Sequence, residues 1–392
     1  MKKLIFITLA LGYGLGGSEN ALIQMLKKID LSKYDITVLS LMEAPEKPFS
    51  HDGIKVIYGC EDFLHISCPF KEMIKNFKAY RLGEIWAKTR FMIASRLKKI
   101  EFSDIMWNCY SPYLKTLEEE YDVAVGYGVN LATFFAMDKV CADKKIVWVN
   151  TDLKKAHVNL KYLKKYYQKS DRIVVVAESG ILRFTEIYPQ FADKICVIRD
   201  ILDIEEIISK SKQGEGFTDG YDGTRILSVG RLVEAKAFHL AIEAAAVLKQ
   251  KKFKFKWYII GFGGLEKELK ELADKLDVKD CVIFLGQQQN PYPFFAQADF
   301  YVQTSVYEGC PITIKEAVVF NKPIISTNIP SIYEIIKDGQ NGYITEMNGE
   351  SIAIGVEKLL TDKDVASAMQ EYQKENPLTY DEEIEKFYNI IK

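Results

Sequence analysis

The sequence predicts an α/β protein made of two Rossmann-like, doubly wound parallel-sheet domains facing each other across a cleft. Three observations carry this expectation. Short, nearly continuous apolar runs alternate with amphipathic segments, as expected of parallel strands covered on both faces. The alternation stops at "SKSKQGEGFTDGYDGT" (209–224), which is polar and Gly-rich, and then starts again. At 392 residues the chain is also long for one core, so two domains of roughly 200 residues are expected.

The elements follow in order. Strands are expected at 4–10 ("LIFITLA"), 34–41, 54–59, 121–128, 145–150, 172–177 and 194–200. Between the first two, "SENALIQMLKKI" (18–29) places Leu22, Met25, Leu26 and Ile29 on one helical face. After the polar stretch, strands are expected at 224–230, 255–261, 281–286, 299–305 and 322–327. Helices at 237–250, 265–276 and 311–320 separate them. The segment 380–392 reads as an amphipathic helix with Ile384, Phe387 and Ile391 on one face, and its Pro-interrupted approach suggests packing away from the second domain. The resulting division is an N-terminal domain at 1–205, a linker at 206–222, a C-terminal domain at 223–377 and a last helix at 378–392. In such sheets ligands sit beyond the carboxyl ends of the strands.

Composition narrows the classes. A hydrophobic fraction of 48% with 27% charge is ordinary for a globular protein and argues against disorder. A net charge of −2 gives no reason to expect nucleic acid. The seven cysteines form no C-x-x-C pair and fit neither a zinc site nor a disulfide framework, so reduced thiols in the cytoplasm are expected. The start, "MKKLIFITLALGYGLGG", has a signal-like charge and apolar run but no A-x-A cleavage pattern, and reads as a first strand. No stretch reaches the ~18 apolar residues that a membrane helix needs. Two segments, 65–118 and 153–169, mix aromatics with Lys and Arg, and fit an anionic membrane surface or an anionic lipid-linked substrate as well as they fit a solvated helix face.

Several motifs carry chemistry. "GYGLGG" sets Gly12, Gly14 and Gly17 in G-x-G-x-x-G spacing between a strand and a helix, with Glu43 as a possible ribose acid. The broader expectation there is an anion at a helix N-terminus, against glycines that only turn the chain. "SVGRLVEAK" places Arg231 and Lys236 just past a strand end at Gly230, suited to a diphosphate. "IIGFGGLEKEL" repeats the strand–turn–helix pattern at Gly261, and "FLGQQQNPYPFF" offers backbone groups to a base edge near Gln287. In "YEGCPITIKEA", Pro311 is expected in the first turn of a helix. Glu308 then lies before that helix and Glu316 inside it, while N–H groups from Gly309 to Thr313 face the cleft. The triplet in "TDKD" (361–364) reads as a helix cap rather than a metal site, and no metal is expected.

Taken together, "GRLVEAK", "IIGFGGLEKEL", "FLGQQQNPYPFFAQADFYVQTSVYEGCPITIKEA", "NGYI" and "LGGSENALIQML" resemble the GT-B glycosyltransferases of family 4, the retaining group 1 transferases. The resemblance spans essentially the whole chain and is strongest over 224–345, where it is especially similar to bacterial capsular and exopolysaccharide enzymes. It implies a nucleotide-sugar donor, a UDP-sugar, with no cofactor and no metal, and a lipid-linked or oligosaccharide acceptor. By the same resemblance Arg231 and Lys236 hold the donor diphosphate, and Glu308 contacts the donor sugar. Glu316 meets the ribose, and the backbone of Gly309, Cys310, Pro311, Ile312 and Thr313 binds phosphate. Gln287 lies near the base, Gly230 and Gly261 line the donor site, and Gly16 with Gly17 approach the phosphate from the other domain. The family's last helix crosses back onto the N-terminal domain.

Two departures stand out. The family often has Gly after the binding Lys, where this chain has Ala237. It also often has a His at the N-domain strand ends, where this chain offers Asn130, Asn150 and Asp152 as acceptor-side candidates. Rival readings of the same shape are a nucleotide-sugar epimerase, a dinucleotide oxidoreductase using only "GYGLGG", and a non-catalytic sugar-nucleotide-binding module.

Overall fold

The computed structural model describes residues 1–13, 17–75, 82–97, 102–156 and 158–392. They divide into two units, Met1–Ile201 with Asp381–Lys392 and Leu202–Tyr380. Among the described residues the first unit holds β1 (Lys2–Thr8), β2 (Tyr34–Ser40), β3 (Ile54–Tyr58), β4 (Glu120–Tyr127), β5 (Cys141–Val149), β6 (Arg172–Val175) and β7 (Ile195–Val197). They pair in the order β3-β2-β1-β4-β5-β6-β7, all parallel. The order reverses between β1 and β4, which is where a doubly wound sheet opens its binding crevice.

Each strand forms for the reason the sequence suggested. The inner residues of β1, Leu4 to Ile7, are at most 1% exposed, as required of a central strand covered on both faces. The helix Gly17–Lys28 buries Ala21, Leu22, Met25 and Leu26 on one stripe. Between β3 and β4 the chain inserts further helices, including Leu82–Leu97 and Phe102–Tyr110.

The helix Asp381–Ile391 belongs to the first unit. Phe387 and Ile391 are buried, Phe387 against Phe6 (5.9 Å) and Trp148 (6.4 Å). Ile384 is only half-buried, and Glu383 is the third inward residue. Its carboxylate accepts from the Arg199 backbone N–H (2.8 Å) and guanidinium (3.2 Å). Lys2 and Lys144 donate to the carbonyls of Ile391 and Ile390, as suits the negative end of a helix.

The second unit repeats the plan with β8 (Thr224–Val229), β9 (Phe255–Ile260), β10 (Val282–Gly286), β11 (Phe300–Gln303), β12 (Ile324–Thr327) and β13 (Gly342–Thr345). The order is β10-β9-β8-β11-β12-β13, again parallel, with its reversal between β8 and β11. β13 was not expected as a strand. It is short, begins with glycine and has only Gly342 fully buried.

The expected linker, 206–222, is helical at its start and, from 212 on, irregular but fastened to the second unit. The helix Ile204–Ser211 runs through its start, capped by Asp203 on the Glu206 N–H (2.9 Å), with Ile207 buried. Further on, Asp219 accepts from Lys256 (2.6 Å), Tyr258 (2.6 Å) and Arg225 (3.0 Å), and these partners hold its carboxyl below the usual range against the opposing effect of burial. Phe217 packs on Tyr258 with ring centroids 4.3 Å apart. Polar composition concealed this fastening because it rests on charge pairing and aromatic contact, which have no periodicity.

Candidate functional site

The loops after β8 and β11 leave from the two strands that flank the reversal in the second sheet, so they share one crevice. Buried hydrogen bonds fix the strands beneath them: Trp257 donates to Ser228 (3.0 Å) and Ser228 to the Val302 carbonyl (2.6 Å). Above, the Thr304 hydroxyl donates to the Lys236 carbonyl (2.7 Å) and the Val306 N–H to the Ala235 carbonyl (2.9 Å). These two bonds join the loops directly.

Gly230 and Gly261 meet here. A methyl group on Gly261 would come within 1.8 Å of the Gly230 carbonyl oxygen, and Gly261 has φ +152°, so no other residue fits. Their contact is first with each other. Gln287 is exposed directly after Gly286 at the carboxyl end of β10.

Lys236 lies in a single 3₁₀ turn, Glu234–Lys236, and its ammonium pairs with Glu308 Oε1. The same oxygen accepts from Ser305 Oγ (2.6 Å) and Gln303 Nε2 (3.0 Å). All three contacts fall on Oε1, so Oε2 is left with no partner among the described residues. Gln303 is 3% exposed and saturated: its amide also donates to Ser305 (2.6 Å), and its carbonyl accepts from Tyr301 (2.6 Å) and Thr313 (3.1 Å). Sequence reading missed Gln303 and Ser305. The available signal was polar side chains appearing at the carboxyl end of an otherwise apolar strand.

Arg231 is exposed beside this cluster in sequence, and none of these bonds involves its side chain. Ala237, which follows Lys236, has φ +45° and is fully buried. A left-handed backbone at this position is what glycine would favour, so the departure seen in the sequence is a strained alanine in a glycine conformation.

The helix Ile312–Val319 starts one residue later than expected, because Pro311 sits at its N-cap. A further correction concerns its donors. The Ile312 N–H is bonded to the Cys310 carbonyl (3.0 Å), and Pro311 has no N–H. That leaves the N–H groups of Gly309 and Thr313 without a bond among the described residues, while the Thr313 hydroxyl is used on Gln303. Glu316, near the start of the helix, is 6% exposed and accepts from Tyr292 (3.1 Å). Burial pushes its carboxyl up to about 7, opposed by the Tyr292 hydrogen bond and by the charge of Lys236.

The first unit is different. Gly16 lies outside the described residues. Gly17 is exposed at the start of the helix Gly17–Lys28. Glu19, in the first turn of that helix, accepts from the Tyr13 N–H (2.6 Å). Glu43 is exposed, and only its backbone oxygen is engaged, by Tyr13. Asn130 and Asn150 stand beyond the carboxyl ends of the neighbouring strands β4 and β5. Asn130 is occupied in capping Leu131–Lys139 through the Ala132 N–H (2.9 Å). Asp152 is 8% exposed and paired with Arg183 (2.5 Å), so it presents a neutralised pair rather than an open carboxylate. Asp362 caps the helix Lys363–Glu375 through the Asp364 and Val365 N–H groups (each 3.1 Å), and no group of three His, Cys, Asp or Glu converges among the described residues.

The family model "Glycosyl transferases group 1" matches residues 210–376. An uncharacterized glycosyltransferase of Haemophilus influenzae is 23% identical over 98% of both chains. An N-acetylgalactosamine-N,N'-diacetylbacillosaminyl-diphospho-undecaprenol 4-alpha-N-acetylgalactosaminyltransferase of Campylobacter jejuni is 27% identical over 57% of this chain and 60% of its own. Among solved structures, a mutant of S. aureus TarM in complex with fondaparinux, alpha-GlcNAc-glycerol and UDP superposes with a TM-score of 0.71 at 15% identity over the whole of both chains.

Proposed function

For a glycosyltransferase of GT-B fold whose residues 210–376 match the group 1 family, we propose retaining transfer of a sugar from a UDP-sugar to a lipid-linked or glycan acceptor in cell-surface polysaccharide synthesis. The observation that carries the reading is the Lys236–Glu308 pair, braced by Ser305 and Gln303 between the two loops of the second sheet's crevice. An ammonium–carboxylate pair of this kind is a donor site at rest: a diphosphate takes over Lys236, and Glu308 is released to the sugar hydroxyls through its unused oxygen. Arg231 is exposed and able to swing onto the same diphosphate. The N–H groups of Gly309 and Thr313 lie at the positive end of a helix and suit phosphate oxygens. Glu316 takes the ribose, Gln287 and its neighbours the base.

The acceptor oxygen forms its bond to the anomeric carbon on the face the diphosphate leaves. The carbon–oxygen bond to the diphosphate breaks with its electron pair on phosphate, and the acceptor proton passes to a donor phosphate oxygen. Lys236 and Arg231 stabilise the charge that grows on the leaving group, which is electrostatic catalysis without a protein nucleophile. Glu308 faces developing positive charge on the sugar ring. Uridine is favoured by the UDP bound to TarM, and a polyprenyl-linked acceptor by the diphospho-undecaprenol in the name of the Campylobacter relative.

The test is incubation with a panel of UDP-, GDP- and ADP-sugars and a polyprenyl-diphosphate glycan, with the anomeric signal of the product read by NMR. Transfer with retained configuration is the expected result. An inverted product, or an epimerised free nucleotide sugar without transfer, overturns it.

A further inference from the structure

The helix Leu82–Leu97 in the first unit is inside out. An ordinary surface helix buries its apolar stripe and exposes its charges. Here the inward face carries Glu84 (8% exposed), Ala87 (1%), Lys88 (7%) and Phe91 (7%). Gly83 is on that side too, since a methyl group there would come within 2.6 Å of the Tyr113 ring. The two buried charges are provided for: Lys88 donates to the Ser67 carbonyl (3.1 Å) above the Tyr110 ring, and Glu84 faces His65 at 3.5 Å. On the opposite face Leu82 is 79% exposed, Trp86 60% and Ile93 53%. At 3.6 residues per turn these three fall within about 40° of one another. A stripe of large exposed apolar residues, kept outward while charges are buried, marks a surface that meets something apolar.

Charge says what that is. The sequence from 71 to 99 holds nine Lys and Arg against two Glu, in a chain whose net charge is −2; Lys88 is buried as above, and among the described residues Lys71, Lys75 and Arg90 are the exposed cations. Arg90 lies one turn from Trp86, and Lys71 and Lys75 lie on the preceding helix Phe70–Lys75. The other cationic segment, 153–169, also exposes Lys155, Lys161 and Lys164, but none of its described positions is a large exposed apolar residue. In 153–169 Lys154 pairs with Glu186, Lys169 with Asp138 (2.5 Å), and Lys165 lies over the Tyr162 ring at 3.7 Å. A second copy of this chain would bring like charges together on the same face.

We propose that Leu82, Trp86 and Ile93 enter the interfacial layer of an anionic bilayer, with Trp86 at headgroup depth and the surrounding cations against lipid phosphates. The face thus docks the first unit on a membrane bearing acidic lipids. The prediction concerns lipid contact and stands whether or not sugar transfer is found.

Tryptophan fluorescence reads the contact directly. Of the four tryptophans, Trp107, Trp148 and Trp257 are at most 1% exposed, so Trp86 alone reports on the surface. Equimolar phosphatidylglycerol–phosphatidylcholine vesicles should shift its emission to the blue, and brominated acyl chains should quench it. Pure phosphatidylcholine should do far less, and roughly 1 M salt, where screening acts within about 3 Å, should reverse most of the effect. The double variant Leu82→Ser/Ile93→Ser keeps the reporter and should lower vesicle partitioning by about tenfold or more, with unchanged circular dichroism and melting. Emission indifferent to acidic vesicles overturns the proposal. So does emission that is already blue-shifted and follows protein concentration without lipid, which would identify a protein contact instead.

Discussion

The two sheets share a topology but treat the polar residues at their carboxyl ends in opposite ways. In the second unit these side chains are pooled: Gln303, Ser305, Glu308, Thr313 and Lys236 form one network that joins both loops at the reversal. In the first unit Asn130 and Asp152 are engaged separately rather than in one network. Asn130 caps the helix it precedes, and Asp152 is paired with Arg183. A pooled network presents a group in one geometry, whereas separately employed residues stabilise the local chain and leave the ligand surface to be set by neighbours. A common donor and a variable acceptor would ask for this difference.

The comparison can be broken by substitution, and the largest effect should come from Lys236→Ala. It should lower kcat/KM by about a thousandfold, some 4 kcal/mol of transition-state stabilisation, with the circular dichroism of the native protein. Near-normal turnover would show that the pooled network is only structural. Gln303→Leu should come next. It strands the Tyr301 and Thr313 hydroxyls and loosens Glu308, costing about 1–3 kcal/mol of stability in denaturant melts and reducing kcat more than donor KM. An effect confined to stability would remove Gln303 from the site.

The third test is pH. Glu316 has its folded pKa raised to about 7 from 4.5. A carboxyl raised in the fold makes the native state bind more protons than the unfolded chain. The contribution of this group to stability is therefore greatest below about 4.5, declines as pH rises, and levels off above about 7, a loss of about 3 kcal/mol. Glu316→Gln should flatten this slope in melts taken between those limits. If ribose hydroxyls donate to Glu316 they favour its charged form, so donor affinity should strengthen as pH rises toward 7, and calorimetry should detect proton release on binding. Donor affinity independent of pH would place the ribose elsewhere.

The smallest effects separate the two regions most cleanly. Asn130→Ala should cost about 1 kcal/mol through loss of a helix cap with little change in donor KM, as suits a residue working for its own helix. Ala237→Gly should stabilise the fold by roughly 1 kcal/mol by relieving a left-handed alanine. A destabilised Ala237→Gly protein would mean that the buried methyl group's packing outweighs the backbone strain.

These differences also explain what could be read in advance. Parallel strands such as Leu4–Ile7 are apolar on both faces and announce themselves, whereas Gly342–Thr345 opens on glycine and is only partly buried after it. The two glutamates and Lys236 were legible because charged groups at strand ends stand out from an apolar background. Gln303 and Ser305 were not, because a buried amide looks like any polar residue until its partners are seen. The fastening of Asp219 to Arg225, Lys256 and Tyr258 was misread as a linker, since its partners lie as far as 39 positions away. The outward stripe of Leu82–Leu97 was noticed only as mixed cations and aromatics. Which face pointed outward depended on the burial of Lys88 and Glu84, a tertiary fact.

The helix Asp381–Ile391 has a consequence for how the chain is made. It follows the second unit in sequence, yet Phe387 fills the space between Phe6 and Trp148 in the first. The second unit, Leu202–Tyr380, is thus one continuous insertion between the two parts of the first. The first unit, although begun earlier in synthesis, has its full set of core residues only once Asp381–Ile391 has emerged.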